Sequence, residues 1–219
     1  RELMQVYRLS EHCACGEDCR ETLHRGQGGA GMNTISPDIR TLTVKKATPE
    51  SLADYGQILG YNADIEPMPI DFYGGTVKVR RVVDFVSDEQ TELPLVTVQK
   101  RPYEVRWMER HFKHTQTFIP LGGVPFVVVM APPNENEVAD LDRVEAFLFD
   151  GSAGFTMKLG TWHEFPFAVQ DDTNLIVVLR QEATDGLIRD NVIQDEAQSP
   201  DLDKKDLLAR SNVLFQFEV

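Results

Sequence analysis

Beyond Cys19 the 219-residue chain contains no cysteine, and the three it has, Cys13, Cys15 and Cys19, all precede Met32. No disulfide framework holds the body of such a protein, and a reducing cytoplasm is its natural setting. The Cys-x-Cys-x3-Cys group beside His12 matches no common zinc spacing, in which two pairs of ligands face each other. Long apolar runs are missing as well. Nothing approaches the length of a membrane-spanning helix, and the first residues lack the apolar stretch of a signal peptide. Basic residues are few, 22 against 35 acidic, for a formal charge of −13. That balance disfavours nonspecific binding to nucleic acid or anionic membrane. An anionic ligand would have to be met by a local cation working against the overall field, so single inward-facing arginines and lysines become the residues to follow.

What is present is enough apolar material, 42% of the chain, for one domain with a tail. Residues 1–31 read as a flexible N-terminal extension. They show no sustained periodicity and end in Gly26-Gln27-Gly28-Gly29-Ala30-Gly31, a linker by composition, after which Met32 reads like an ordinary start. Residues 32–219 read as the folded domain. Thr48-Pro49-Glu50 predicts a helix start, with Thr48 as cap, running to about Leu59 and stopping at Gly60. Gly74-Gly75 opens a predicted strand in which Val77, Val79, Val83 and Phe85 share a face with Arg81, placing that charge inward. Further strands are predicted at Leu93–Lys100, Thr115–Pro120, Phe126–Ala131, Val144–Phe149, Phe155–Leu159, Phe165–Val169 and Leu175–Arg180. Turn signals such as Gly122-Gly123, Pro132-Pro133-Asn134 and Asp150-Gly151 separate them. Many short strands after one helix indicate a mainly β protein, a barrel or sandwich. Residues 182–206 carry eight acidic and three basic residues with little apolar pattern and read as a solvated acidic arm, followed by a helical turn near Leu207. The segment from Asn212 to Val219 reads as a strand that completes an edge or crosses to a partner subunit.

Chemistry concentrates in two segments. Glu109 and His111 sit two apart, so on a strand both point to one face. Gln116 and Gly123 follow at the offsets where small metal-binding barrels place a further ligand and a turn glycine. His163, after Gly160-Thr161-Trp162, arrives from a second strand pair. Convergent polar groups from separated segments are how a barrel builds a site inside itself. The alternative for Glu109 and His111 is a structural hydrogen-bonded pair. Arg110 alternates out of phase with them and pairs on the outer face.

Met108-Glu109-Arg110-His111 with Thr115-Gln116-Thr117-Phe118-Ile119-Pro120, then Pro125 to Val129, Glu145 to Gly151 and Gly160-Thr161-Trp162-His163, resemble the ureidoglycolate lyase family, with the likeness covering most of Thr41 to Arg180. The resemblance implies a cupin-like β-barrel or jelly roll with an N-terminal helix, and cleavage of ureidoglycolate to glyoxylate and urea in the recovery of purine nitrogen from allantoin. It also implies a homodimer, and a site in which Glu109, His111, Gln116 and His163 occupy the positions where cupins hold a divalent metal.

Breaking the C–N bond of this carbinolamide needs a base for the hydroxyl proton, an acid for the departing nitrogen and a cation for the carboxylate. A divalent metal binding hydroxyl and carboxylate together would lower the hydroxyl pKa. Glu109, His111, Lys158 and His163 are the catalytic candidates; Lys158 stands where family members often carry a histidine, and its alternative is an exposed strand lysine. Arg81, Arg101, Gln116 and Trp162 are the substrate-binding candidates, with a rim salt bridge the alternative for Arg81 and plain packing that for Trp162. Two other functions remain open to such a chain: a lyase or hydrolase of the same family acting on a different small carboxylate, and a non-catalytic cupin-like sensor of a small acid.

Overall fold

The strand Phe126–Ala131 is apolar at every position, and the fold explains why: both of its faces are buried. Phe126, Val128 and Met130 enter one hydrophobic cluster, while Val127, Val129 and Ala131 enter another on the opposite side. The computed structural model describes residues 36–60, 65–70, 73–190 and 195–219. The extension 1–31, with its cysteines, lies outside the described residues.

Among the described residues the strands, numbered in chain order, form three sheets. The largest runs β15 (Ala197–Gln198), β16 (Asp203–Asp206), β7 (Trp107–Arg110), β12 (Trp162–His163), β9 (Phe126–Ala131), β10 (Glu145–Phe149) and β2 (Val44–Lys46), with β13 (Phe167–Ala168) also on β9. A second runs β3 (Gly56–Leu59), β11 (Gly154–Met157), β8 (Thr117–Pro120), β14 (Thr173–Arg180) and β4 (Thr91–Glu92), with β5 (Leu95–Val98) also on β14. The third is β1 (Asp38–Thr41), β17 (Val213–Gln216) and β6 (Glu104–Val105). Phe118, Phe155 and Leu175 of the second sheet pack with the inner residues of β9, and Val105, Val213 and Phe215 of the third pack with the outer ones. The result is a cupin-like β fold, with the second and third sheets packed against opposite faces of the first. Among the described residues the α-helices are α1 (Gln181–Asp190) and α2 (Leu207–Ser211), which follow β14 and β16. No described helix is long and apolar enough to cross a membrane.

Several expectations change at this level. The segment after Thr48 makes the cap, with Ser51 N donating to Thr48 Oγ1 at 3.1 Å, but only turns over residues 49–55 follow, and no regular helix, before the chain extends as β3. Pairing of β3 with β11 outweighs the local helix signal, and Gly56 makes it possible: a Cβ there would lie 2.1 Å from the Thr156 carbonyl oxygen. No strand forms between residues 76 and 90. Val77, Val79 and Phe85 are exposed, Ser87 makes a single bridge to His114, and Arg81 is exposed too. The predicted acidic arm is instead an integral part of the fold. Residues 181–190 are α1, and β16 pairs along its whole length with β7. Its acids tolerate burial because each finds an arginine from elsewhere in the fold, Asp203 with Arg110 at 2.9 Å and Asp206 with Arg106 at 2.6 Å, while Lys205 pairs with Asp203 at 2.8 Å within the strand. The helical turn expected near Leu207 is α2. The terminal strand β17 is hydrogen-bonded on both sides within its own chain, by β1 and β6, so it is not available for exchange with a partner.

Candidate active site

Strand register assembles the polar wall of a cavity of about 430 Å³ between the two larger sheets and α1. Glu109 on β7 stands opposite His163 on β12 and opposite Lys204 on β16, so three adjacent strands set these side chains in one row. His111 lies just past the end of β7, and Gln116 just before β8. Gly160, at φ +76°, turns the chain into β12, and its N–H donates to the His111 carbonyl at 2.7 Å, tying the two histidine segments together.

The hydrogen bonds fix how the rings present themselves. His111 Nδ1 lies 3.1 Å from the carbonyl oxygen of Asp201, and His163 Nδ1 lies 3.1 Å from that of Thr161. A carbonyl only accepts, so each ring carries a proton on Nδ1 and turns Nε2 inward. Neither Nε2 has a hydrogen-bond partner among the described residues, and neither does the buried Gln116 Oε1. Glu109 Oε1 lies 3.8 Å from His111 Nε2 and 3.5 Å from His163 Nε2. Two lone pairs facing a carboxylate at such distances repel unless a shared proton or a cation stands among them. Two imidazole nitrogens, a carboxylate and an amide oxygen are a donor set that a borderline divalent cation accepts, and the ligand atoms of Glu109, His111 and His163 all lie within 4.8 Å of one another. These residues are so grouped that they could hold a metal ion.

Charge and burial then tune the carboxyls. Burial opposes ionisation of Glu109, but when the facing His111 and His163 rings carry a second proton on Nε2, their hydrogen bonds and positive charge outweigh it and hold the carboxyl well below the usual range. Glu164, the next residue after His163, goes the other way: burial pushes it up to about 7, with Arg101 3.4 Å away only partly offsetting the cost. Asp201 is wholly buried behind the histidines. Burial again opposes its charge, yet His114 Nδ1 at 2.7 Å and the N–H groups of Lys113 and Phe112 at 2.6 and 3.0 Å hold it at about 2. His114, its ring tilted by 40° against that of His111 with centroids 4.4 Å apart, is pushed down by burial against the pull of Asp201.

The cavity therefore contains four of the expected site residues, Glu109, His111, Gln116 and His163. The other four lie elsewhere. Lys158 is exposed and donates to the Ala53 carbonyl, because β11 ends at Met157 and the side chain leaves the sheet before reaching the pocket. Arg81 is exposed on the strand-free segment and does not line the cavity. Arg101 is spent on the carbonyls of Phe165 and Pro166, both at 2.8 Å, and covers the Phe167 ring; it reaches the site only through Glu164. Trp162 precedes His163 on β12 and so faces the outer cluster, where its Nε1 donates to Asn134 and its ring lies under Arg110. Arg110 follows the expected phase, opposite to Glu109.

Three site residues were not anticipated. Lys204 lines the cavity from β16 and is the only lysine or arginine among the described lining residues. Its signal is absent locally, since its place depends on register with a strand almost a hundred positions earlier. Asp201, which supports both His111 and His114, is hidden in the same charged segment. Glu164 had a local mark, an acidic residue inside an apolar stretch directly after the site histidine.

A family described as ureidoglycolate lyase matches residues 39–199. A ureidoglycolate lyase from Pseudomonas putida is 29% identical over 147 residues, covering 65% of this chain and 86% of its own length. Those from Azotobacter vinelandii and Pseudomonas fluorescens are each 26% identical, over 154 and 147 residues, covering 66% and 65% of this chain and 88% and 86% of their own lengths. With a match over well more than half its length, a cupin-like β fold and a cavity that gathers Glu109, His111, Gln116 and His163, the chain belongs to the ureidoglycolate lyase family.

Proposed function

We propose that this protein cleaves ureidoglycolate to glyoxylate and urea, a carbon–nitrogen lyase step in the recovery of purine nitrogen from allantoin. The observation that carries the reading is the inward convergence of Glu109 with the unpartnered His111 Nε2, His163 Nε2 and Gln116 Oε1 in a cavity that also holds a carboxyl poised near neutrality. The net chemistry moves one proton. The carbinol hydroxyl loses it, carbon–oxygen becomes a carbonyl, the carbon–nitrogen bond breaks, and the departing ureido nitrogen gains it. A single group that takes and returns a proton near pH 7 suffices, and Glu164 is suited to that exchange. Lys204 meets the substrate carboxylate as a local cation within an acidic protein. Glu109, His111, Gln116 and His163 receive the hydroxyl and would hold a divalent cation. When bound, such a cation supplies Lewis-acid acidification of that hydroxyl. Asp201 keeps His111 and His114 in their tautomers, a positioning role.

The test is simultaneous measurement of glyoxylate and urea from ureidoglycolate, using protein as purified, after chelation and after added divalent metal, with His163→Ala alongside. Equal release of both products, abolished in the variant, is expected. Release of neither product under all three conditions would overturn the reading. For assembly we propose a homodimer. Its support is β5, an edge strand on which Leu95 is 60% exposed and is preceded by Leu93 at 63%, an apolar edge of the kind proteins cover. Light scattering that returns a clean monomer would remove it.

A further inference from the structure

The cavity is larger and more apolar than ureidoglycolate calls for. Its volume of about 430 Å³ lies in the range, roughly 300–1,000 Å³, that encloses drug-sized ligands. Ureidoglycolate has three carbons, each bonded to oxygen or nitrogen, and offers no apolar group. Yet facing the polar row is a wall of Val96, Phe165, Val177, Leu179, Ala183 and Leu187. Three separate elements besides the Phe165 loop build it: Val96 comes from β5, Val177 and Leu179 from β14, and Ala183 and Leu187 from one face of α1 at i, i+4 spacing. Against a wholly polar substrate this wall would retain water and contribute nothing to binding.

We propose that the apolar half of the cavity is a subsite for a substituent on the distal ureido nitrogen, so that the substrates of this protein include N′-alkylated ureidoglycolates. The inference rests on the lyase reading above. It follows from orientation: carboxylate and hydroxyl are drawn to Lys204 and the Glu109–His111–His163 group, and the distal nitrogen is the part of the molecule farthest from both. The bond chemistry is unchanged. The carbinol proton passes to the nitrogen, the carbon–nitrogen bond breaks, and glyoxylate and the N-alkylurea leave, with neither water nor a redox partner consumed. Each buried methylene adds roughly threefold to fourfold in affinity, so a butyl group that is mostly enclosed should raise kcat/KM on the order of tenfold to a hundredfold.

The experiment compares glyoxylate release from ureidoglycolate and its N′-methyl and N′-butyl derivatives at limiting concentrations, in the wild-type protein and in Leu187→Trp, whose indole fills the apolar end. The expected result is a kcat/KM that rises along the series by at least about tenfold, and loses that rise in the variant. The wild-type series stands alone should the variant fold poorly. Efficient cleavage of the parent, with the butyl derivative no better, would overturn the subsite and leave the lyase reading in place. Cleavage of none of the three would overturn both.

Discussion

Asp201→Asn is the substitution through which the architecture behind the histidines can be weighed. The carboxylate accepts from two backbone N–H groups and from His114 Nδ1, and its side chain is 0% exposed. Asparagine keeps the volume and one oxygen for the N–H groups, but sets its own NH₂ against the ring. A buried charge-assisted bond then becomes a neutral one or a donor facing a donor, a change worth about 1.5–3 kcal/mol. A second route gives a similar figure. The native carboxyl titrates at about 2 against 3.8 for the ordinary group, and a difference of roughly two units corresponds to about 2–3 kcal/mol at neutral pH. For a domain of this size that is a fall in Tm of about 5–10 °C. The sign with pH follows from the depressed pKa: the contribution is fully present above about pH 4 and is lost as pH falls through about 2. Thermal unfolding of wild type and variant at pH 6, and urea unfolding from pH 6 down to 2.5, should therefore show a gap that closes on acidification. Equal melting at pH 6, or a gap that stays constant into acid, would refute the assignment of Asp201 as a stabilising, ionised support for His114.

Other consequences are quicker to check. Lys158→Ala should leave kcat/KM within about twofold, as an exposed side chain bonded to the Ala53 carbonyl has no part in the cavity; a loss of a hundredfold would return it to the site. Glu164→Gln should lower kcat by roughly 10²–10⁴ and remove the fall in activity expected of the wild type as pH drops below about 7, since the carboxylate form must start the reaction; an unchanged pH profile would exclude the proton shuttle. Gly56→Ala should destabilise by at least about 2 kcal/mol in denaturant unfolding, because its Cβ would meet the Thr156 carbonyl oxygen at 2.1 Å between paired strands. Wild-type stability in that variant would mean that β3 and β11 do not approach as described.

How far the sequence speaks for this protein follows from the range of its signals. Alternation along a strand needs only neighbouring residues. Glu109 and His111 on one face with Arg110 on the other, and the terminal β17, were therefore readable in one dimension. The same rule, applied to Trp162 beside His163, already implies that only one of the pair can face the cavity. The rule fails where a pattern has no partner: the valines of residues 76–85 alternate like a strand but join no sheet among the described residues, and Arg81 stays exposed. Thr48 signals a cap, yet pairing with β11 overrides the helix that should follow it.

Fold-level contacts account for the rest. A segment as charged as 201–206 reads as solvated because its countercharges, Arg110 at the end of β7 and Arg106 just before it, lie about a hundred positions away. Burial of such charges depends on a partner strand that no local window contains. That pairing places Lys204 opposite Glu109, and it sets Asp201 behind His111 and His114. Composition and periodicity indicate a β protein in which Glu109 and His111 share one face of a strand. Register between distant strands settles which cation faces them, how their protons are held, and how wide and how apolar the cavity around them is.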